Sequence, residues 1–236
     1  MIRFEFYQNQ ILKFLNKGKS ILVLGASSDE ASLFHKLQFK RVTLSNIDLA
    51  QLRGAEKYKF KKKKIDFRSL FKIKNNSYDY VVVHASIHHT SRPHNVLLEI
   101  YRIAKYGILI IESNDSFVMR LSVKLNFSEN FEKSALNENT YTGGGVDGLN
   151  IPNYVYRWTE REIKKLFYSY QPDKKINIIF NYQNNIFNEG ISNNSIKKII
   201  ITFSYLFLKI IFFLFPKQQN LMSIYIDKKN YKKRIN

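Results

Sequence analysis

The stretch Ser77-Tyr-Asp-Tyr-Val-Val-Val-His84-Ala-Ser-Ile-His-His89 carries the pattern that decides the fold. Tyr80 to Val83 is a continuous, β-branched apolar run, and polar residues crowd its carboxyl end. A half-buried strand alternates, whereas an unbroken apolar run suits a strand covered on both faces, so this segment reads as central. Downstream, Pro93 opens a helix through Lys105, with Leu97, Leu98, Ile100, Tyr101 and Ile103 at its apolar positions. Gly107 punctuates it, and Ile108 to Ile111 is a further strand ending at Glu112. Upstream, Ser20 to Leu24 is a buried strand, Gly25-Ala-Ser-Ser28 a small-residue turn, and Asp29 to Leu37 a helix. Arg41 to Ile47 is the second strand, and the lysine-rich Lys57 to Lys64 leads into a third at Ile65-Asp66-Phe67. Residues 4 to 16 form an amphipathic helix ahead of all of these.

Alternating strands and helices argue for a parallel sheet with right-handed crossovers, and ligands bind beyond the carboxyl ends of its strands. Those ends carry Gly25-Ala-Ser, Asp48, Asp66, His84 to His89, and Glu112 to Asp115. Beyond Asp115 the pattern changes. Residues 116 to 150 are polar and irregular, with a loop at Gly143 to Gly148 that reads as a lid. Trp158 to Tyr168 is a helix with Thr159 and Glu162 as a capping box, and Lys175 to Tyr182 is a sixth strand. A polar link, Gln183 to Asn194, precedes the apolar segment Ile196 to Phe215; Leu221 to Ile226 is the seventh strand, and Lys228 to Asn236 a frayed tail. The expectation is one α/β domain over residues 1–236, Rossmann-like. It has a seven-stranded, mostly parallel sheet with helices on both faces and an extra apolar helix before the last strand. Residues 1–17 are the N-terminal helix, 18–115 the alternating core and 116–236 the remainder.

Lys plus Arg number 38 against 19 acids, a formal +19. Lysine supplies 28 of the 38, and arginine is the usual choice for bidentate phosphate recognition, which weakens a nucleic-acid reading. With no cysteine, a disulfide framework, a thiolate nucleophile and cysteine-ligated zinc are all excluded. The amino terminus lacks an apolar signal region, so the expected location is the cytoplasm. In the 196–215 segment Lys198, Thr202, Tyr205 and Lys209 recur at steps of four, three and four, a polar stripe opposite a broad apolar arc. Such a helix packs on the domain, on a second copy in a homodimer, or on an anionic membrane surface at the inner face; Lys209 disfavours a span.

Each strand-end residue has a chemical and a plain structural reading. The Gly25 turn admits a ligand close to the backbone, or is an ordinary strand-to-helix turn. Asp48 accepts from both hydroxyls of a ribose, or caps a helix. Asp66 accepts from an adenine amino group beside Phe67. His88 and His89 are candidate bases because imidazole titrates near neutrality, with Glu112 and Asp115 behind them; alternatively one packs under a ligand and the other is solvated. Tyr154, Tyr156, Arg157 and Trp158 offer stacking surfaces and a fixed cation, or merely pack a helix start. A metal reading of His84, His88, His89 and His94 is set aside, because 88 and 89 are expected to diverge and no carboxylate motif joins them.

Over residues 18 to 115 the chain resembles the class I S-adenosylmethionine (SAM)-dependent methyltransferases in their type 11 branch. Ile21-Leu-Val-Leu-Gly25-Ala-Ser is similar to the glycine-rich first motif, Asn46-Ile-Asp48 to the ribose-binding acid, and Ile65 to Leu70 to the adenine segment. Ser77 to His89 is similar to the fourth strand with its histidine-bearing end, and Pro93 to Glu112 to the helix and strand that follow. The first motif departs from the family: Val23 stands where an acid is usual, and Ser27 and Asp29 replace later glycines. The resemblance implies that the last strand runs antiparallel, that 18–115 is a cofactor-binding core and 116–236 the acceptor side. It implies SAM as cofactor, held by Gly25, Ala26, Ser27, Asp48, Asp66, Phe67 and His84. It implies His88 and His89 as catalytic residues, and Glu112, Asp115, Tyr154, Arg157 and Trp158 toward the acceptor. The acceptor would be a small molecule, glycan or lipid-linked intermediate, methylated on a hydroxyl. Two other readings are an RNA methyltransferase and a degenerate, membrane-attached binding module.

Overall fold

The computed structural model describes residues 2–133, 144–184 and 207–233. In chain order these form α1 (Ile2–Phe14), β1 (Ile21–Leu24), α2 (Ser28–Lys36), β2 (Val42–Asn46), β3 (Lys61–Lys64), β4 (Tyr78–His84), α3 (Pro93–Ile103) and β5 (Ala104–Ser113). There follow α4 (Phe117–Lys124), β6 (Phe131–Glu132), β7 (Asn153–Tyr154), α5 (Glu160–Tyr170), β8 (Lys174–Gln183), α6 (207–214) and β9 (Leu221–Lys233). Seven strands make one sheet in the order β3-β2-β1-β4-β5-β9-β8, and β6 with β7 make a small ribbon. The first five run parallel, while β9 lies antiparallel between β5 and β8, as the family resemblance implies.

The apolar strands are buried on both faces. Ile21, Val23, Val82, Leu109 and Ile111 point toward a core with Tyr7 and Ile11 of α1 and Phe34 of α2. Leu22, Leu24, Val81, Val83, Ile108 and Ile110 join the opposite core with Leu97, Ile100 and Tyr101 of α3 and Phe167 of α5. Each such side chain contributes about 1.5–3 kcal/mol on leaving water. The register of β1 against β4 is locked at its start, where Ser20 N and Oγ donate to Asp79 Oδ2 at 2.8 and 2.9 Å.

Three expectations need correction. The third strand is Lys61–Lys64, not Ile65–Phe67, which follow it as the start of a 3-10 turn capped by Asp66. Residues 116 to 150 are not uniformly irregular, because Ser116 caps α4 through its hydroxyl. The tail does not fray at Lys228: β9 runs on to Lys233, opposite Lys174. The apolar segment falls mostly outside the described residues, as do Lys198, Thr202, Tyr205, Gly143 and most of the link after Gln183. Of that segment α6 is described, with Phe207, Ile210, Phe213 and Leu214 exposed. Among the described residues no helix is long and apolar enough to cross a membrane.

The lysine run now has a place. Among the described residues β3 pairs with β2 alone and so forms a sheet edge, where unpaired backbone groups invite further strands. Lysines on such an edge oppose that pairing. Lys61→Val with Lys63→Val is expected to convert the chain to a self-associating species in light scattering at unchanged far-ultraviolet circular dichroism. A monodisperse double variant would contradict this role.

Candidate active site

A cleft of about 480 Å³ opens at the carboxyl ends of β1 to β4. Gly25 terminates β1 at φ +67, and a Cβ there would stand 2.3 Å from Ser86 Oγ, so both the turn and the close approach require glycine. Ser27 then caps α2 in a complete capping box with Glu30. The Glu30 carboxylate, 5% exposed, lines the cleft and also accepts from His84 Nδ1 at 2.9 Å. His84 Nε2 accepts from Arg3 Nε at 3.1 Å, and the Tyr7 ring stacks on the imidazole at 4.5 Å. Burial alone would raise the Glu30 carboxyl, but its bonds to His84 and Ser27 outweigh burial and hold it below the usual range. The first motif lacks its acid at Val23, yet a buried acid stands in the cleft from the next helix. Its signal in the sequence was Ser27-Ser-Asp-Glu30, the spacing of a capping box.

Asp48 follows β2 and lines the cleft; its Oδ1 accepts from Ala50 N at 2.9 Å. The capping reading of this residue is therefore what the structure shows, and a capping carboxylate keeps further lone pairs for a ligand in the cleft. Asp66 and Phe67 line the next part of the wall. Arg68 engages both Asp66 oxygens, with Nη2 to Oδ2 at 2.6 Å, and lowers the carboxyl below its ordinary value. An adenine amino group would share that carboxylate with Arg68. Ala26 is fully buried and donates its N–H to Ser45 O, so it shapes the turn without lining the cleft.

At the far end Ala85 turns the chain out of β4 at φ +47. Glu112, 0% exposed, accepts there from Ser86 N at 2.8 Å, Ile87 N at 2.7 Å and His88 Nδ1 at 2.9 Å. The rings of His88 and His89 sit 4.5 Å apart. Nε2 of each lies near Glu132 Oε2, at 3.5 and 3.6 Å. Burial opposes the charge on His88, but the Glu112 and Glu132 carboxylates prevail and push it up to about 9. His89 is lowered by burial and by His88. Glu132 is held at about 2, chiefly by His88. Asn153 Nδ2 donates to Glu132 at 3.0 Å, and His89 Nδ1 meets Gly144 O at 3.2 Å. Asp147 closes the rim by accepting from Ser91 N and Thr90 Oγ1, both at 3.2 Å. His88 and His89 therefore converge on one carboxylate instead of diverging. His84 and His94 stand apart, the latter with Glu162 at 2.8 Å.

The residues assigned to the acceptor side are corrected. Trp158 is fully buried and exchanges backbone bonds with Ser113 and Asp115, which draws it into the core beside α3 and α5. Arg157 donates to Glu129 O and Asn130 Oδ1, bracing the loop before β6. Tyr154 pairs with Phe131 across the ribbon, and Asp115 with Arg120. None of these four lines the cleft, and Glu112 acts behind it. The capping box at Thr159 is half formed: its hydroxyl accepts from Glu162 N, while the Glu162 carboxylate faces His94 and Tyr156. Glu30, Glu132, Asn153 and Asp147 are site residues that the sequence pattern did not single out.

Residues 22–111 match the family model described as "Methyltransferase domain". No curated protein matches the chain. Among solved structures, a SAM-dependent methyltransferase from Archaeoglobus fulgidus is similar at 14% identity and TM-score 0.58, over 96% of this chain and 94% of that one. A magnesium protoporphyrin IX methyltransferase from Synechocystis, with S-adenosylhomocysteine (SAH) bound, is similar at 10% identity and TM-score 0.54, over 95% and 81%. A possible histamine N-methyltransferase from Thermotoga maritima is similar at 14% identity and TM-score 0.52, over 95% and 89%. The matched domain is one that uses SAM, and over the whole chain the likeness to these methyltransferases is one of fold.

Proposed function

We propose that the chain transfers a methyl group from SAM to a hydroxyl of a small, glycan or lipid-linked acceptor that enters the cleft beside His89 and Glu132. The observation that carries this is a single cleft running from Gly25 and Asp48, past Asp66 and Phe67, to His89 and Glu132. Its size is that of a cofactor pocket, where about 300–1,000 Å³ is usual. Asp48 would hold the ribose, the Ile65–Phe67 wall the adenine, and Glu30 with the Gly25 turn the amino-acid end. The bound sulfonium supplies an activated methyl, so the protein's main task is alignment, with removal of a hydroxyl proton as its second. That proton leaves at the His88–His89 end, where Glu112 fixes His88 from behind. Exposed apolar side chains on α4 and α6, among them Phe117, Leu121, Phe207 and Phe213, support a lipid-linked acceptor met at a membrane surface.

Asp48→Ala is expected to weaken SAH binding about ten- to hundred-fold, the worth of hydrogen bonds to a charged group. An unchanged dissociation constant would remove Asp48 from the ribose role. The acceptor reading is tested with methyl-labelled SAM against panels of hydroxyl and amine acceptors; transfer confined to amines would overturn it.

A further inference from the structure

We propose that His88, His89 and Glu132 form a binding site for one divalent transition-metal ion at the acceptor end of the cleft. Three donor atoms converge there, His88 Nε2, His89 Nε2 and a Glu132 oxygen, all within 4.8 Å of one another. The two nitrogens lie 3.5 and 3.6 Å from Glu132 Oε2. A metal held at about 2.0–2.2 Å from each ligand needs those ligands about 3.0–3.5 Å apart, so the two nitrogen–oxygen distances need to contract by only tenths of an ångström, while the two nitrogens lie within 4.8 Å of each other.

The groups behind the donors make the stronger case. Metal-bound histidines almost always give their other ring N–H to a carboxylate or carbonyl, which fixes the tautomer and aims the free nitrogen. His88 Nδ1 is bonded to the buried Glu112 at 2.9 Å, and His89 Nδ1 to Gly144 O at 3.2 Å. The third donor is oriented in the same way, since Asn153, itself 0% exposed, donates to Glu132 at 3.0 Å. Each donor thus has its own backing group, drawn from β5, the 144–148 loop and β7; the two imidazoles present their free Nε2 to Glu132 Oε2, the oxygen that also accepts from Asn153 and keeps a further lone pair for an ion. The charges agree as well: the Glu112 and Glu132 carboxylates face two imidazoles, and a divalent ion neutralises them.

The donor set names the class of ion. Two imidazoles and one carboxylate suit Zn²⁺, Fe²⁺, Co²⁺ or Mn²⁺, whereas Ca²⁺ and Mg²⁺ prefer all-oxygen cages. Three protein ligands leave positions free, and His89 and Glu132 line the cleft, so those positions open toward the acceptor. An acceptor hydroxyl bound there becomes more acidic. This role, though not the metal site itself, rests on the proposed methyl transfer to a hydroxyl.

The test uses the full chain, stripped with a chelator and titrated with Co²⁺ while the visible d–d absorption is followed, then with Zn²⁺ in competition. One equivalent of Co²⁺ is expected to produce the intense band of a low-coordinate site with histidine ligands, and Zn²⁺ to abolish it. Asn153→Ala is expected to weaken binding about 10–100-fold. His89→Ala and Glu132→Ala should weaken it more, with thermal unfolding showing which variants remain folded. A folded wild-type chain that gives no such band at a hundred micromolar Co²⁺ overturns the proposal, whatever the variants do, and leaves a proton shared among His88, Glu112 and Glu132 as the occupant. Equal binding by wild type and a folded Glu132→Ala variant overturns it too. SAH binding, measured on the stripped chain, reports separately on the methyltransferase reading.

Discussion

Replacing Glu112 with alanine is expected to destabilise the chain by about 3–5 kcal/mol, the usual cost of leaving a buried charge pair half made. The carboxylate is 0% exposed and is the acceptor for Ser86 N, Ile87 N and His88 Nδ1. Its removal strands two backbone donors, one of them on the fully buried Ile87, and frees the His88 ring to rotate away from Glu132. Glu112→Gln keeps an oxygen for the two amides but places an NH₂ group against His88 Nδ1. It should cost less, about 1–3 kcal/mol. Urea unfolding of both variants reads these differences as shifts in midpoint. A Glu112→Ala variant within about 1 kcal/mol of wild type would show that the carboxylate is not what holds the Ser86–His88 turn.

The second large effect falls on Gly25. An alanine there pays about 1–2 kcal/mol for the left-handed backbone and about 1–3 kcal/mol for overpacking, because its Cβ would meet Ser86 Oγ at 2.3 Å and Ser86 Cβ at 2.5 Å. The chain relieves the clash only by shifting Ser86, and Ser86 carries one of the amides bound to Glu112. Gly25→Ala is therefore expected to lower SAH affinity more than ten-fold as well as stability. Adding Ser86→Gly in the same chain removes the steric part and leaves the backbone part, so stability should recover by about half. A Gly25→Ala variant with wild-type SAH affinity would place the cofactor elsewhere.

The sheet was legible because its signal is local. Tyr80 to Val83 and Ile108 to Ile111 are apolar at every position, and only a doubly covered strand buries both sets. The antiparallel last strand followed from the family resemblance rather than from its own pattern. What local pattern could not carry were pairings across long stretches of chain. Glu30 reaches His84 54 residues away, and Glu132 meets His88 and His89 only because the ribbon of β6 and β7 folds over the strand ends. Charge misled at Lys61–Lys64, where lysines suggested a lead-in and proved to be the edge strand. Trp158 misled in the opposite way. Flanked by Tyr156 and Arg157 it resembled a ligand platform, but its backbone is tied to Ser113 and Asp115 and its ring lies in the core. The tail past Lys228 gave no apolar signal, since the partner of its strand end is Lys174, equally polar.

The central claim is that this cleft holds SAM. Titration calorimetry of the purified chain with SAH tests it most directly, with Asp48→Ala titrated in parallel. Binding of one SAH per chain is expected at micromolar affinity, weakened ten-fold or more in the variant. A folded wild-type chain that evolves no heat of binding with SAH or SAM up to about millimolar concentration, where binding is worth only about 4 kcal/mol, would contradict it.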